Sequence, residues 1–458
     1  MTFAGDFARA TVRELVQALA RREVGALELC DAAIARIERL DPEINAVVVR
    51  DFERARRAAR EADAALARGE QGALLGVPMT VKESFDVAGL PTSWGLSEHR
   101  DFRPVRDAVS VGRLKRAGAV ILGKTNVARA LADWQSDNPV YGRTRNPLDK
   151  TRSPGGSSGG SAAALAAGMV PLELGSDIAG SIRVPAHFCG VFGHKPSYGL
   201  VPPRGHSYPG TDGAAPPLAV VGPLARNVDD LERALAVLAG PDDDLAIAYR
   251  LALPPPRRTG LRDLRVLVLD RHPCVRTAHS LEEALAGLAT DLRDAGAQVS
   301  HESALLPDLT AANRLYLKTF LTIVSGGAPR ADGTQLSAGD WLNLEHARVA
   351  LARAWARLFE QVDVVITPPF GTAAFPHLDP GPTAERRLTI DGVSSPYGDQ
   401  FAWPGVATLP GLPATQVPIA RDVDNLPIGV QVIGPYLEDR TPIAVAAAIE
   451  KLRPLGVA

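Results

Sequence analysis

Three cysteines in 458 residues, Cys30, Cys189 and Cys274, are too few and too scattered for a disulfide framework or a metal knuckle. They read as buried free thiols, and no metal is expected. An excess of positive charge is also missing: 50 Lys and Arg stand against 52 Asp and Glu, a formal net charge of -2. Without a basic block there is no electrostatic footprint for nucleic acid or an anionic membrane. Long apolar runs are absent too, since AVIL at 119–122 and VLVL at 266–269 fall far short of a membrane span. The start, MTFAGDFARATVREL, carries acidic and polar residues where a secretory signal needs a basic start and an unbroken apolar stretch. These absences predict a cytoplasmic protein acting on a small molecule, with neither nucleic acid nor membrane as partner.

Lysine is scarce as well. Lys82, Lys115, Lys124, Lys150, Lys195, Lys318 and Lys451 are the only ones, so arginine supplies most of the basic residues. Arginine stays protonated under all relevant conditions, whereas a desolvated lysine can lose its proton and act as a base. Each lysine therefore merits inspection.

What is present is ordinary for a globular chain: 46% hydrophobic and 22% charged residues, enough apolar material for a core that excludes water from a site. The first 70 residues read as a helical preface, with a capping box at Thr11 and Glu14 and apolar residues Leu15, Leu19, Leu29, Ala33 and Ile37 at helical spacing. Strand and helix then alternate. LGVPMTV at 75–81 reads as a strand with Lys82 at its end, and residues 107–117 as a helix leading through Gly118 into AVIL. A loop rich in Asn, Pro, Gly and Ser flows into the small-residue helix SAAALAAGM. The PDDD and PPPRR stretch between Pro241 and Gly260 marks a boundary or a long surface loop. Beyond it LRVLVLD reads as a strand and SLEEALAGLATDLRDAG as a helix capped by Ser280 and Glu283. A long amphipathic helix over 339–362 and the strands DVVITPP, PATQVPIA and PIGVQVIGP follow. The alternation predicts an α/β fold with a central sheet.

Two short motifs fit their patterns in the wrong context. GAVILGKT at 118–125 matches the phosphate loop G-x-x-x-x-G-K-[ST], but its variable positions are themselves strand-like, and Gly118 reads better as a helix C-terminal glycine. GGSSG at 155–159 matches the G-x-S-x-G elbow, yet the polar, proline-broken NPLDKTRSP before it is no buried strand.

Two longer segments are specific together: GVPMTVKESFDVAG at 76–89, and PGGSSGGSAAALAAGMVPLELGSDIAGSIRVPAHFCGVFGHKPS at 154–197. With SDNPVYGRTRNPLD and LPIGVQVIGP they resemble the amidase signature family. Singly, Lys82 reads as a strand-end lysine, Ser157 as a loop serine and Ser181 as a helix N-cap; their joint placement in the long match reverses this. The resemblance implies one large α/β/α domain around a mixed sheet. Its catalytic domain would span 71–458, with a signature core at 71–240 and a variable, substrate-shaping region at about 241–362.

Carried over residue by residue, the resemblance makes Lys82 the base, Ser157 the relay held by a cis peptide bond from Gly156, and Ser181 the nucleophile. The residue types suit that chemistry, because a serine must lose its proton as it attacks a poorly electrophilic amide and a buried lysine can accept it. The oxyanion donors are assigned to the N–H groups of Ile178, Ala179, Gly180 and Ser181, with Ala179 standing where the family commonly has glycine. Asp177 is expected to brace the serine turn, and Arg183 to be a structural ion-pair partner rather than to steer a substrate carboxylate. Trp94, Asn138 and Tyr141 are the expected pocket residues. His187, His194 and His206 need no role, and Glu83, in place of the family's aspartate, should affect Lys82 little.

The predicted reaction is hydrolysis of a small-molecule carboxylic amide to an acid and an amine or ammonia, without metal or organic cofactor. A homodimer is left open. One alternative is a glutaminase subunit supplying ammonia to a partner in tRNA-dependent transamidation. Another is a nucleotide-binding protein built on the phosphate-loop match.

Overall fold

Alternation of apolar side chains decides the layering. In Arg265–Val268, Val266 and Val268 enter one hydrophobic cluster and Leu267 another, because successive side chains of a strand point to opposite faces. Ile121 likewise opposes Val120 and Leu122. Strands apolar on both faces need helices on both sides.

The computed structural model describes residues 7–211, 216–329, 333–379, 381 and 383–455. Its strands are β1 (Val47–Arg50), β2 (Pro78–Lys82), β3 (Val120–Thr125), the short hairpin β4 (Asp137–Asn138) and β5 (Gly142–Arg143), β6 (Leu172–Asp177), β7 (Phe192–Lys195) and β8 (Val220–Ala225). They continue as β9 (Arg265–Val268), β10 (Gln298–Ser300), β11 (Val364–Thr367), the hairpin β12 (Arg387–Ile390) and β13 (Val393–Pro396), β14 (Ala414–Arg421) and β15 (Pro427–Ile433). Eleven of these form one mixed sheet in the order β1-β3-β2-β6-β8-β7-β14-β15-β11-β9-β10.

The helices are α1 (Val12–Ala20), α2 (Ala26–Ile44), α3 (Phe52–Ala67), α4 (Val109–Arg116), α5 (Gly159–Ala166) and α6 (Arg183–Cys189). Then come α7 (Val228–Leu238), α8 (His279–Asp294), α9 (Leu309–Val324), α10 (Ala338–Gln361), α11 (Ala402–Thr408) and α12 (Arg440–Leu452). Buried residues of α2, α3 and α5 share a cluster with Val120 and Leu122. Those of α4, α7, α8 and α12 join Ile121, Val266 and Val268, while α10 and α11 cover Leu267 and Val365. The result is the expected α/β/α arrangement around a mixed sheet. Among the described residues no helix is long and apolar enough to cross a membrane.

Two expectations change in detail. The first 70 residues are not only helical. The capping box at Thr11 and Glu14 forms, but β1 runs antiparallel to β3 at the edge of the main sheet. Helix α8 is not capped by Ser280; its first N–H, on His279, donates instead to Asp391 Oδ2 at 3.0 Å. A cap supplied 112 residues away leaves no local signal.

The phosphate-loop match is excluded by its surroundings. Gly118, at φ 92°, follows the C-cap of α4, and Lys124 is buried in β3. Its Nζ donates to Thr92 Oγ1 at 2.9 Å and to the Pro91 carbonyl, so the amine is engaged within the protein.

The site is positioned by β2 and β6. They are parallel neighbours, with Thr80 beside Glu173 and Val81 beside Leu174, so Lys82 and Asp177 end their strands on the same side of the sheet. Ligand sites of open α/β sheets favour the carboxyl ends of strands.

Candidate active site

At the end of β2 the Lys82 side chain is fully buried, and its Nζ lies 2.8 Å from Ser157 Oγ, 2.9 Å from Ser176 Oγ and 3.4 Å from the Ser176 carbonyl. Burial pushes the amine down to about 7, against an upward pull from the Asp177 charge. Ser157 follows a cis Gly156–Ser157 peptide bond. Glycine is required at 156 because a Cβ there would stand 2.4 Å from the Asp133 carbonyl oxygen. Ser176 carries no sequence signal of its own, since a serine within a strand reads as packing.

Beyond β6 the chain turns through Ile178, Ala179 and Gly180 to Ser181 and enters α6. The Ser181 carbonyl accepts from Ser158 N–H at 3.2 Å, which sets the turn beside the Ser157 segment. Among the described residues no hydrogen bond joins the Ser157 and Ser181 hydroxyls. Positive φ is needed at Gly180, at 88°, and not at Ala179. The departure from glycine at 179 therefore imposes no left-handed strain; its methyl group packs instead with Leu218, Tyr316, Phe320 and Leu409.

Asp177 organises the turn. Its carboxylate accepts from Gly180 N–H at 2.8 Å and Ile182 N–H at 3.1 Å, and from Arg183 Nε and Nη2 at 3.0 and 2.8 Å. Burial opposes its ionisation, but the Arg183 charge and hydrogen bonds outweigh that and hold the carboxyl at about 2. Because Gly180 N–H is engaged here, it drops out of the assigned oxyanion donors, leaving those of Ile178, Ala179 and Ser181. The remaining Arg183 donors go to Gln431 Oε1 at 2.6 Å, the Pro404 carbonyl at 3.1 Å and Thr408 Oγ1 at 2.9 Å. All of its N–H groups thus have acceptors within the protein. Arg183→Met leaves a buried carboxylate uncompensated and is expected to destabilise the fold by about 3–5 kcal/mol. Urea unfolding with an unshifted midpoint would contradict that.

Two further donors, without local signal, hold the turn's carbonyls. Tyr316 Oη donates to the Ile178 carbonyl at 2.9 Å across 138 residues, and Trp134 Nε1 donates to the Ala179 carbonyl at 2.8 Å.

The expected pocket residues have their polar groups engaged elsewhere. Asn138 Nδ2 donates to Asn126 Oδ1 and to the Val127 carbonyl, both at 2.8 Å, and its Oδ1 accepts from Val140 and Tyr141 N–H. Trp94 Nε1 donates to the Ser84 carbonyl at 3.1 Å, and Tyr141 Oη to Glu83 Oε1 at 3.0 Å. Glu83 also accepts from Ser93 and Trp94 N–H, so it fastens the 93–94 segment instead of pairing with Lys82. The histidines near the motif are likewise engaged. His187 takes a hydrogen bond from Gly429 N–H at 2.8 Å and lies 3.1 Å from the Thr372 carbonyl. His194 contacts Thr415 and Asp439, and His206 contacts Ser84. Among the described residues no group of three or more His, Cys, Asp or Glu is arranged to hold a metal.

Comparison with known proteins bears on the family of the whole chain. A family model described as Amidase matches residues 28–325 and 318–442. A glutamyl-tRNA(Gln) amidotransferase subunit of Roseiflexus castenholzii is 34% identical, over 96% of this chain and 95% of that protein. Fatty-acid amide hydrolase 2-A of Danio rerio is 32% identical, over 96% and 87%. A crystal structure of an amidase, 28% identical, superposes with a TM-score of 0.79 over 97% of this chain and 100% of that one. The chain belongs to the amidase signature family and is a hydrolase of amide carbon–nitrogen bonds.

Proposed function

We propose that this chain hydrolyses a small-molecule carboxylic amide through an acyl-enzyme on Ser181, with Ser157 as proton relay and Lys82 as base. The observation that carries the reading is the fully buried Lys82 amine set 2.8 Å from Ser157 Oγ beside the Ser181 turn. Exposure orders the three groups: Lys82 is 0%, Ser157 1% and Ser181 6% exposed. The outermost hydroxyl is the one a substrate reaches.

A neutral amine has two N–H bonds and one lone pair. With its N–H bonds directed to the Ser176 oxygens, Lys82 presents that lone pair to the Ser157 O–H. Ser157 passes its proton inward while accepting the Ser181 proton, as Ser181 Oγ bonds to the carbonyl carbon. The N–H groups of Ile178, Ala179 and Ser181 receive the developing oxyanion. The proton returns through Ser157 to the nitrogen as the C–N bond breaks. Water then attacks the ester along the same route, releasing the acid and restoring Ser181. These steps use no cofactor.

The activity requires neutral Lys82, so kcat/KM should rise with pH through about 7 and level off above it. His187 and His206, pushed by burial down to about 4 and about 3, are neutral throughout that range and supply no such limb. Buried Lys195 is also lowered to about 7, by burial first and by the Arg183 charge. A limb retained in Lys195→Met assigns it to Lys82; a limb lost there transfers it.

The similarity to a glutamyl-tRNA(Gln) amidotransferase subunit favours a second reading, a glutaminase that feeds ammonia to a partner. Assaying the purified chain against aliphatic, aryl and amino-acid amides separates the two. Turnover by the chain alone supports the autonomous amidase, and turnover of glutamine only with copurifying subunits supports the other.

A further inference from the structure

We propose that Tyr316, and more weakly Trp134, are positioning residues that aim the oxyanion donors of the Ser181 turn. This rests on the reading of Ser181 as nucleophile. Within a trans peptide the C=O and N–H point in opposite directions, so fixing one fixes the other. The Ile178 carbonyl is held by Tyr316 Oη at 2.9 Å. That anchors the peptide whose N–H belongs to Ala179, one of the donors still without a protein acceptor among the described residues. The Ala179 carbonyl is held by Trp134 Nε1 at 2.8 Å. The N–H of that second peptide, on Gly180, already donates to Asp177. Tyr316 thus secures a peptide with one free end, and Trp134 one anchored at both ends.

The two donors belong to one aromatic arc. Ring centroids of Trp134 and Phe401 are 4.6 Å apart, Phe401 and Phe320 4.9 Å, and Phe320 and Tyr316 5.8 Å. The arc begins and ends on successive carbonyls of the same turn. Helix α11 backs it: a Cβ at Gly405 would meet Tyr316 Cδ1 at 2.5 Å, and one at Gly180 would meet Pro404 Cγ at 2.9 Å. A fully buried phenol seated this tightly has no room to swing off the Ile178 carbonyl.

Tyr316→Phe removes only the hydroxyl. Deleting a direct oxyanion donor costs about 10²–10³ in kcat, so loosening one is expected to cost about 10- to 100-fold, with KM within about twofold. Trp134→Phe should cost less than Tyr316→Phe. Gly405→Ala, which keeps the hydroxyl but displaces the ring, should reproduce the Tyr316→Phe loss; if either variant fails to fold, the other decides. A role confined to packing would not move the affinity for an oxyanion. The discriminating probe is a trifluoromethyl ketone carrying the acyl group of the best amide. Its carbonyl carbon bonds Ser181 Oγ, the hydroxyl proton passes through Ser157 to Lys82, and the ketone oxygen becomes the oxyanion. Its inhibition constant should rise by the same factor as kcat falls. An unchanged constant, or kcat within twofold of wild type, overturns the assignment. Fluorophosphonate labelling reports separately on the underlying reading: loss of label in Ser181→Ala supports it, and label persisting there refutes the nucleophile itself.

Discussion

Replacing Ser181 with alanine is expected to lower amide turnover by about four orders of magnitude or more, as removal of a nucleophile does where the rest of the site stays intact. Covalent labelling by a fluorophosphonate should vanish with it. Among the described residues the Ser181 hydroxyl makes no hydrogen bond, whereas its carbonyl is the group that accepts from Ser158. Alanine keeps that carbonyl and adds no bulk, so the unfolding free energy should stay within about 0.5 kcal/mol of wild type. Loss of rate with unchanged stability is the signature sought. Normal labelling of Ser181→Ala would move the nucleophile elsewhere and sink the mechanism.

The second large effect concerns Lys82. Lys82→Met keeps much of the volume and removes the proposed base, and kcat should fall by about 10²–10⁴, the usual contribution of general base catalysis. The rising pH limb should disappear in the same variant. Stability should move the other way. In the unfolded chain the amine titrates near 10.5, but in the fold it titrates at about 7. Between these values the unfolded state binds more protons, so the native protein gains stability as pH rises through that window. Below it the full penalty, on the order of 5 kcal/mol, is present. Lys82→Met should therefore be more stable than wild type at pH 6, with the advantage shrinking toward pH 10. Equal urea midpoints at pH 6 would show that the buried amine carries no such strain. Catalytic sites commonly hold groups at a cost in stability.

Much of this was legible in the residues. The strand ending at Lys82, the helix N-terminus at Thr11 and the glycine after α4 each follow from patterns within a few positions of themselves. The layered fold followed from strand and helix alternation together with the family resemblance. The approach of β2 to β6 rests on strand pairing across the sheet, which periodicity alone does not supply. Polar commitments across long separations stayed hidden. Nothing near Arg183 indicates that its guanidinium is shared with Pro404, Thr408 and Gln431. Gly180 illustrates the same limit at short range: a small residue in the right segment looked like an oxyanion donor, yet its N–H belongs to Asp177. Ala179 is the converse, since the left-handed angle sits one residue later.

The strand order also bears on how the molecule comes into being on the ribosome. β14 and β15, among the last elements to be synthesised, lie between β7 and β11 in the middle of the sheet. Until they emerge, the earlier strands of the sheet form two blocks that no strand joins. Arg183 meanwhile waits for Pro404, Thr408 and Gln431, all near the end of the chain. A nascent polypeptide halted before residue 404 therefore carries every proposed reactive group, and lacks the keystone that would set them to work.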